Sequence, residues 1–381
     1  MATEADSDTG PGTGTGTGAE PESASRVEAV ARPWARAWGR LRARTGAAPP
    51  LARHLALALL VALPLLAVSE AAGAYTDYNL AAIAYFAVAA AGLSVLTGQN
   101  GQLSLGHGAL MAIGAYTASL LETHHPLPVA AVLAAAIATT TAAGLVVGVA
   151  AARLRGPYLA GATLALAVAL PQVATRYASI FGGNQGLTVP PLTHPGWLGD
   201  TFPDERWLAW MSFAAALGTF VLLANLTRSR YGRAFRAVRD HEAAAALAGI
   251  RVARTQVLAF AVSAACAGLA GALLAFWAGL TAPAGFALGL SLQLLTAAVI
   301  GGLGTLPGAV WGAVLLVYVP TWTQDLATRG HLSSGVADNL PLAIYGAVLV
   351  VAMLAFPYGI QGGLGRLRAL LTGYLHRRRG G

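Results

Sequence analysis

Lysine is absent from this 381-residue chain, and all 24 of its basic residues are arginine. Without lysine the chain has neither the phosphate-binding lysine of a nucleotide-binding loop nor a Schiff-base amine. Charge of either sign is scarce, at 10% of residues against 56% hydrophobic, and the mean hydropathy is +0.61. So little polar surface cannot cover a soluble globule of this length, and the composition is that of an all-α polytopic membrane protein. The single Cys266 lies in an apolar run with no intrachain partner, which excludes a disulfide framework. No Asp or Glu falls inside the apolar spans defined below, where ion- or proton-coupled carriers usually need one. There is no HExxH, no intramembrane pair of His or Asp, and His241-Glu242 has no second histidine four residues on. An enzyme active site, a metal site and a cofactor of the chain's own are therefore not expected. The net charge of +8 does not mark a nucleic-acid binder, because the arginines sit at the ends of apolar spans rather than in a basic, aromatic-interleaved domain.

Taking about 20 apolar residues per crossing places spans near 51–69, 78–97, 101–121, 129–151, 157–177, 207–226, 254–279, 288–303, 305–321 and 339–356. Ten spans put both termini on one side. Arginine assigns that side to the cytoplasm: 26–53, Arg153 with Arg155, 228–254 and 366–379 fall there, whereas Glu70, Asp77, Glu122, Asp200, Asp204, Glu205, Asp325 and Asp338 fall on the other, with Arg176, Arg206 and Arg329 the only basic residues among them. Gly98–Gly101 and Gly301–Gly304 are tight glycine turns, and eight spans plus a re-entrant hairpin of broken helices around the second would preserve the same sidedness. The two turns share a faint likeness at an offset of 200, Gly101, Leu103, Gly108 and Ala109 against Gly301, Leu303, Gly308 and Ala309, which a Gly- and Ala-rich chain also produces by coincidence.

Residues 1–50 form an acidic, low-complexity and then basic cytoplasmic tail that buries too little apolar area to order itself. The first apolar stretch lies some fifty residues in, too far for a cleaved signal, and reads as an anchor. Residues 51–357 form the membrane domain and 358–381 a basic cytoplasmic tail.

Three stretches carry polar groups where an apolar chain has to justify them. Gly98–Tyr116 concentrates Gln99, Asn100, Gln102, Ser104 and His107 at the head of a span, the wall of a translocation path or, on the plainer reading, helix-packing contacts; His107 alone is more often a hydrogen-bonded packing residue. Phe181–Pro190 opens the longest outward loop, and its Gly182, Gly183, Asn184 and Gly186 suit a surface that presents backbone to a partner. Arg228–Arg254 is a charged island with seven arginines, predicted as two short helices, Gly232–Arg239 and Glu242–Ala248, with Asp240 capping the second and Gly249 ending it. Its small residues Ala243–Ala246, beside Glu242, Leu247 and Ile250, make a narrow face suited to a protein groove, and it is read as a docking hairpin rather than only a topology signal.

The blocks GQLSLGHGALMAIGAYTA from Gly101, RLRGPYLAGATLALA from Arg153, GRAFRAVRDHEAAAALAGI from Gly232 and VIGGLGTLPGAVWGA from Val299 resemble, in order, signature segments of the M-type permease subunits of bacterial ABC importers for branched-chain amino acids. FGGNQGL from Phe181 adds a weaker fifth. The resemblance, which spans roughly 79–357, implies a multi-pass protein of the cytoplasmic membrane that pairs with a second homologous permease. It also implies two cytosolic ABC ATPases, which use ATP and magnesium, and an extracytoplasmic solute-binding protein. It carries ATPase contact over to Arg236, Arg239, Asp240, Glu242 and Gly249, with His241 standing where the family often has asparagine. On this reading Gln102, Ser104, His107 and Thr163 line the path. An importer for urea or short amides shares these blocks, and an ATP-independent channel or a membrane scaffold is the rival from another class.

Overall fold

The computed structural model describes residues 50–71, 73–125, 127–154, 157–199 and 201–329, with 344, 346–347, 350–351 and 359–366. The N-terminal tail, most of the predicted span 339–356 and most of the C-terminal tail lie outside the described residues. The helices are α1 (Pro50–Ala71), α2 (Ala74–Leu93), α3 (His107–His124), α4 (Val129–Ala151), α5 (Pro157–Arg176) and the single turn α6 (Ala178–Phe181). They are followed by α7 (Asp204–Arg228), α8 (Arg230–Asp240), α9 (Glu242–Leu247), α10 (Val252–Ala278), α11 (Leu288–Gly301) and α12 (Leu306–Arg329). Among the described residues seven helical stretches are long and apolar enough to cross a membrane: Leu51–Ala71, Ala74–Gln99, Val129–Ala151, Tyr158–Arg176, Asp204–Arg228, Val252–Ala278 and Pro283–Gly301.

Each predicted span from 51–69 to 305–321 meets a helix, with two corrections. The span placed at 101–121 begins only at His107, because Gly101 takes a left-handed φ of 77° and residues 101–106 leave the helix. The span placed at 305–321 continues to Arg329 within α12, so Asp325, assigned to a loop, lies in a helix. α2 also runs on through a π-helical turn, Ser94–Gln99, whose wider pitch brings it to the first glycine turn.

α10 is the centre of the core, packed against α2, α3 and α4 along a face of alanine and glycine. Apolar association between helices gains little in a lipid-like surrounding, so close backbone approach has to hold them. A Cβ on Gly114 of α3 would fall 2.3 Å from the carbonyl oxygen of Gly268 on α10, so the pair can approach only as glycines. Cys266 is buried and reduced against Gly92 of α2.

The helix bundle has two ends. At one, His54 near the start of α1 hydrogen-bonds through Nδ1 to Asn225 Oδ1 at 3.0 Å, near the end of α7, and the hairpin α8–α9 follows directly. Gly359 packs on Gly302 at the turn between α11 and α12. At the other end Arg206 meets Glu70 at 3.3 Å and Asp77 at 3.6 Å, and Ser69 donates to Asp77 at 2.6 Å. These three charged residues are ones that span parity assigns to a single side. The same end carries a two-residue antiparallel pairing, β1 (Leu187–Thr188) with β2 (Leu280–Thr281), and Ser119 of α3 donates to Thr281 Oγ1 at 2.6 Å.

Asp77 is only 1% exposed, so Arg206→Met leaves a buried carboxylate with a hydroxyl as its remaining partner. The substitution is expected to cost about 2–3 kcal/mol, below the full penalty for a broken buried pair because the Arg206 side chain keeps 18% exposure. Adding Asp77→Asn should recover most of it in a thermal-unfolding double-mutant cycle; additive losses would show that the two do not interact.

Candidate functional site

The hairpin is built as its sequence demands, with one change. Ser229 sits at the N-cap of α8 and its Oγ accepts from the Tyr231 amide at 3.1 Å, a cap the sequence reading did not single out. α8 buries Gly232, Phe235 and Val238 on one face, the helical spacing of an amphipathic element lying against the bundle. Gly249 has φ 83° and ends α9, with its amide bonded to the Ala246 carbonyl, as expected. Asp240 does not cap α9. That position belongs to His241, and the Asp240 carboxylate instead accepts from Arg239 Nε and Nη2 at 2.9 and 2.8 Å, because the guanidinium beside it is the nearer and stronger donor.

Of the five residues carried over as ATPase contacts, Asp240 is bonded to Arg239 and exposed, and the other four separate into two groups. Arg236 and Arg239 reach back into the chain: Arg236 Nη1 donates to Gln99 Oε1 at 3.1 Å and to the Thr227 carbonyl at 3.0 Å, and Arg239 Nη1 donates to the Gly98 carbonyl at 2.8 Å. Glu242 and Gly249 are exposed, and the Glu242 carboxylate accepts from Gln256 Nε2 at 2.9 Å, which ties α9 to the start of α10. Around them Ala243, Ala244, Ala246 and Ala248 are exposed, and Leu247 is 91% exposed at the tip. Leu247 is thus an apolar side chain left open on a face of alanines and flanked by charge, with no seat among the described residues.

Gln102, Ser104, His107 and Thr163 come together, but as buried residues, 5%, 1%, 0% and 1% exposed. Residues 101–106 form a strap that crosses between α8 and α5. Gly101 lies against Arg239, and the Leu105 amide donates to Thr163 Oγ1 at 2.9 Å. Gln102 Oε1 accepts from Asn100 Nδ2 at 2.9 Å, Ser291 Oγ of α11 accepts from the Gly108 amide at 3.0 Å, and His107 Nδ1 is 3.4 Å from Ser263 Oγ of α10. Thr163 also lines a shallow apolar groove of about 370 Å³ between α4 and α5. A larger apolar groove of about 600 Å³, lined by α1, α2, α7 and α12, contains none of the predicted residues. Among the described residues no cluster of three or more His, Cys, Asp or Glu could hold a metal ion.

The loop Phe181–Pro190 owes its glycines to closure. Gly182, Gly183 and Gly186 have φ of 74°, 59° and 77°, and a Cβ on Gly186 would fall 2.3 Å from the Thr281 carbonyl oxygen. Asn184 is exposed and its Oδ1 accepts from Thr175 Oγ1 at 3.2 Å; Gln185, Thr188 and Pro190 are the other exposed residues of that segment.

A core of apolar helices joined by close glycine contacts, carrying one basic hairpin with an open apolar tip, defines the class: a multi-pass permease-type membrane protein. The family described as branched-chain amino acid transport system / permease component matches residues 75–356, and the chain belongs to it. It is 30% identical over 292 residues to the high-affinity branched-chain amino acid transport system permease protein LivM of Salmonella typhimurium, covering 71% of this chain and 66% of that one. LivM of Escherichia coli is also 30% identical, with the same coverage, so the chain spans just under two thirds of the length of these relatives. LivH of Salmonella typhimurium is 27% identical, over 73% of this chain and 91% of its own length. No solved structure matches.

Proposed function

We propose that the chain is a membrane-spanning subunit of an ATP-driven importer and moves branched-chain or related hydrophobic amino acids across the cytoplasmic membrane by alternating access. It works with a second, homologous permease, two cytosolic ABC ATPases that bind ATP and magnesium, and an extracytoplasmic solute-binding protein. Ten spans place both termini in the cytoplasm. The start of α1 and the position of Gly359, both on the hairpin side, support that parity. The observation that carries the reading is Leu247, 91% exposed on the alanine face of α9, in a chain of this family that has no lysine with which to bind nucleotide phosphates itself.

The residues act as follows. Leu247, Glu242 and the chain around Gly249 present the contact surface, while Arg236, Arg239 and Asp240 hold the hairpin that bears it. Closure of the ATPases on ATP then pulls on the hairpin, and the difference in that grip between the two nucleotide states is the free energy that shifts the helices. The solute path runs along the face of α5 that carries Thr163, with Gln102, Ser104 and His107 in the layer behind it. Asn184 and Gln185 face the binding protein.

Gentle purification of the tagged chain from its native membranes, followed by mass spectrometry, is expected to recover two ATPases and a second permease in stoichiometric amounts. A chain recovered alone, conducting solute in liposomes without ATP, would overturn the importer reading.

A further inference from the structure

Three stretches that lie far apart in sequence meet at the hairpin end of the bundle. The first is the glycine turn after α2, the second is α8, and the third is the turn between α11 and α12. Arg239 Nη1 donates to the Gly98 carbonyl at 2.8 Å, and Arg236 Nη1 donates to Gln99 Oε1 at 3.1 Å. The other half of the Gln99 amide continues the chain of bonds: its Nε2 donates to the Gly304 carbonyl at 2.7 Å. Gly98 and Gly304 approach so closely that a Cβ on Gly98 would fall 2.0 Å from the Gly304 nitrogen. Gly101 lies against the same arginine: a Cβ there would fall 2.9 Å from Arg239 Cγ. The hairpin is therefore fastened to the bundle here by polar bonds of fixed direction and by close backbone approach, beside the apolar face of α8 that buries Phe235 and Val238.

We propose that Gln99, with Arg236 and Arg239, is a relay that fastens the cytoplasmic hairpin to the turn between α11 and α12, so that the two move as one body. Gln99 suits this because a primary amide donates and accepts at once. It takes the guanidinium of Arg236 on its oxygen and gives its N–H to Gly304. The relay makes α11 and α12 the helices driven first, ahead of α3 and α4, to which the hairpin makes no such bond among the described residues. What pulls the hairpin rests on the importer reading; the linkage itself does not.

The test uses the purified complex in liposomes, with spin labels at two exposed positions, Arg233 on α8 and Leu303 in the turn, in a Cys266→Ser background. In otherwise unaltered protein the distance between the labels should be narrow and unchanged by ATP. Gln99→Leu, which removes both bonds at similar volume, should broaden the distance and make it shift with nucleotide, while solute imported per ATP hydrolysed falls about tenfold and the ATPases remain bound. Gln99→Glu separates the links: its carboxylate still accepts from Arg236 and cannot donate to Gly304, so it should behave as Gln99→Leu does. An unchanged distance and unchanged yield per ATP in Gln99→Leu would overturn the relay, as would a nucleotide-dependent shift in the unaltered protein. Should no ATPase accompany the unaltered chain, the importer reading fails by itself, and the width of the distance without nucleotide, unaltered against Gln99→Leu, still decides the linkage.

Discussion

Leu247→Arg, and separately Glu242→Arg, is expected to release the ATPases from the complex and abolish ATP-driven uptake while leaving the chain folded in the membrane. Leu247 is 91% exposed and has little packing to lose among the described residues, so a stability effect is not expected from its replacement. An apolar anchor at the centre of an interface contributes about 2–4 kcal/mol, which converts to a loss of affinity of roughly 30- to 700-fold. Glu242 differs in one respect, since its carboxylate also holds Gln256 at 2.9 Å. Glu242→Gln keeps an acceptor for that bond and should retain far more ATPase than Glu242→Arg. Pull-down of the ATPases, with uptake measured in the same membranes, reads both. Full uptake by Leu247→Arg would remove the tip of α9 from the coupling surface.

Gly271→Leu is expected to be the most damaging substitution in the core. A Cβ there would fall 2.0 Å from the Met111 carbonyl oxygen and 3.0 Å from the Ala115 nitrogen, both backbone atoms of α3 that cannot turn aside as a side chain can. α3 and α10 would have to separate, at a cost of about 3 kcal/mol or more. The apparent melting temperature in detergent should fall by roughly 10 °C if any folded protein is recovered. Gly218→Leu is the control: its added Cβ meets nothing within 4 Å, and the same replacement should change little. Equal losses at the two positions would mean that residue volume, rather than the α3–α10 approach, governs the effect.

The spans and the hairpin were legible because they are local signals: apolar run length, arginine at the ends, and a glycine with positive φ after α9. Pairing across the bundle was not. Gly98, Gly101 and Gly304 stand out in the sequence as turn residues, yet nothing in it says that Gly98 and Gly304 face each other. Nor does it say that Arg236 and Arg239 point into that contact rather than away from it. A run of seven arginines looks the same whether it meets lipid headgroups, a partner or its own chain. The late start of α3 has the same origin. Leu103 and Leu105 give residues 101–106 the apolarity of a helix start, and only the partners of the strap, Thr163 and Arg239, show why it is extended. Asp240 was misread because N-cap preference is a statistic about isolated helices, and it gives way to a guanidinium one residue away.

The short pairing of Leu187–Thr188 with Leu280–Thr281 bears on where solute can pass. Together with the bond from the Val189 amide to the Gly279 carbonyl and the Ser119–Thr281 contact, it ties the chain that follows α5, the end of α10 and the end of α3 by main-chain and hydroxyl bonds, with Val189, Ser119 and Thr281 buried. Such a seam is costly to part and re-form in every cycle. The chain after α5 and the ends of α3 and α10 therefore stay together as one block at that face, and under the proposed importer function solute passes beside this seam rather than through it.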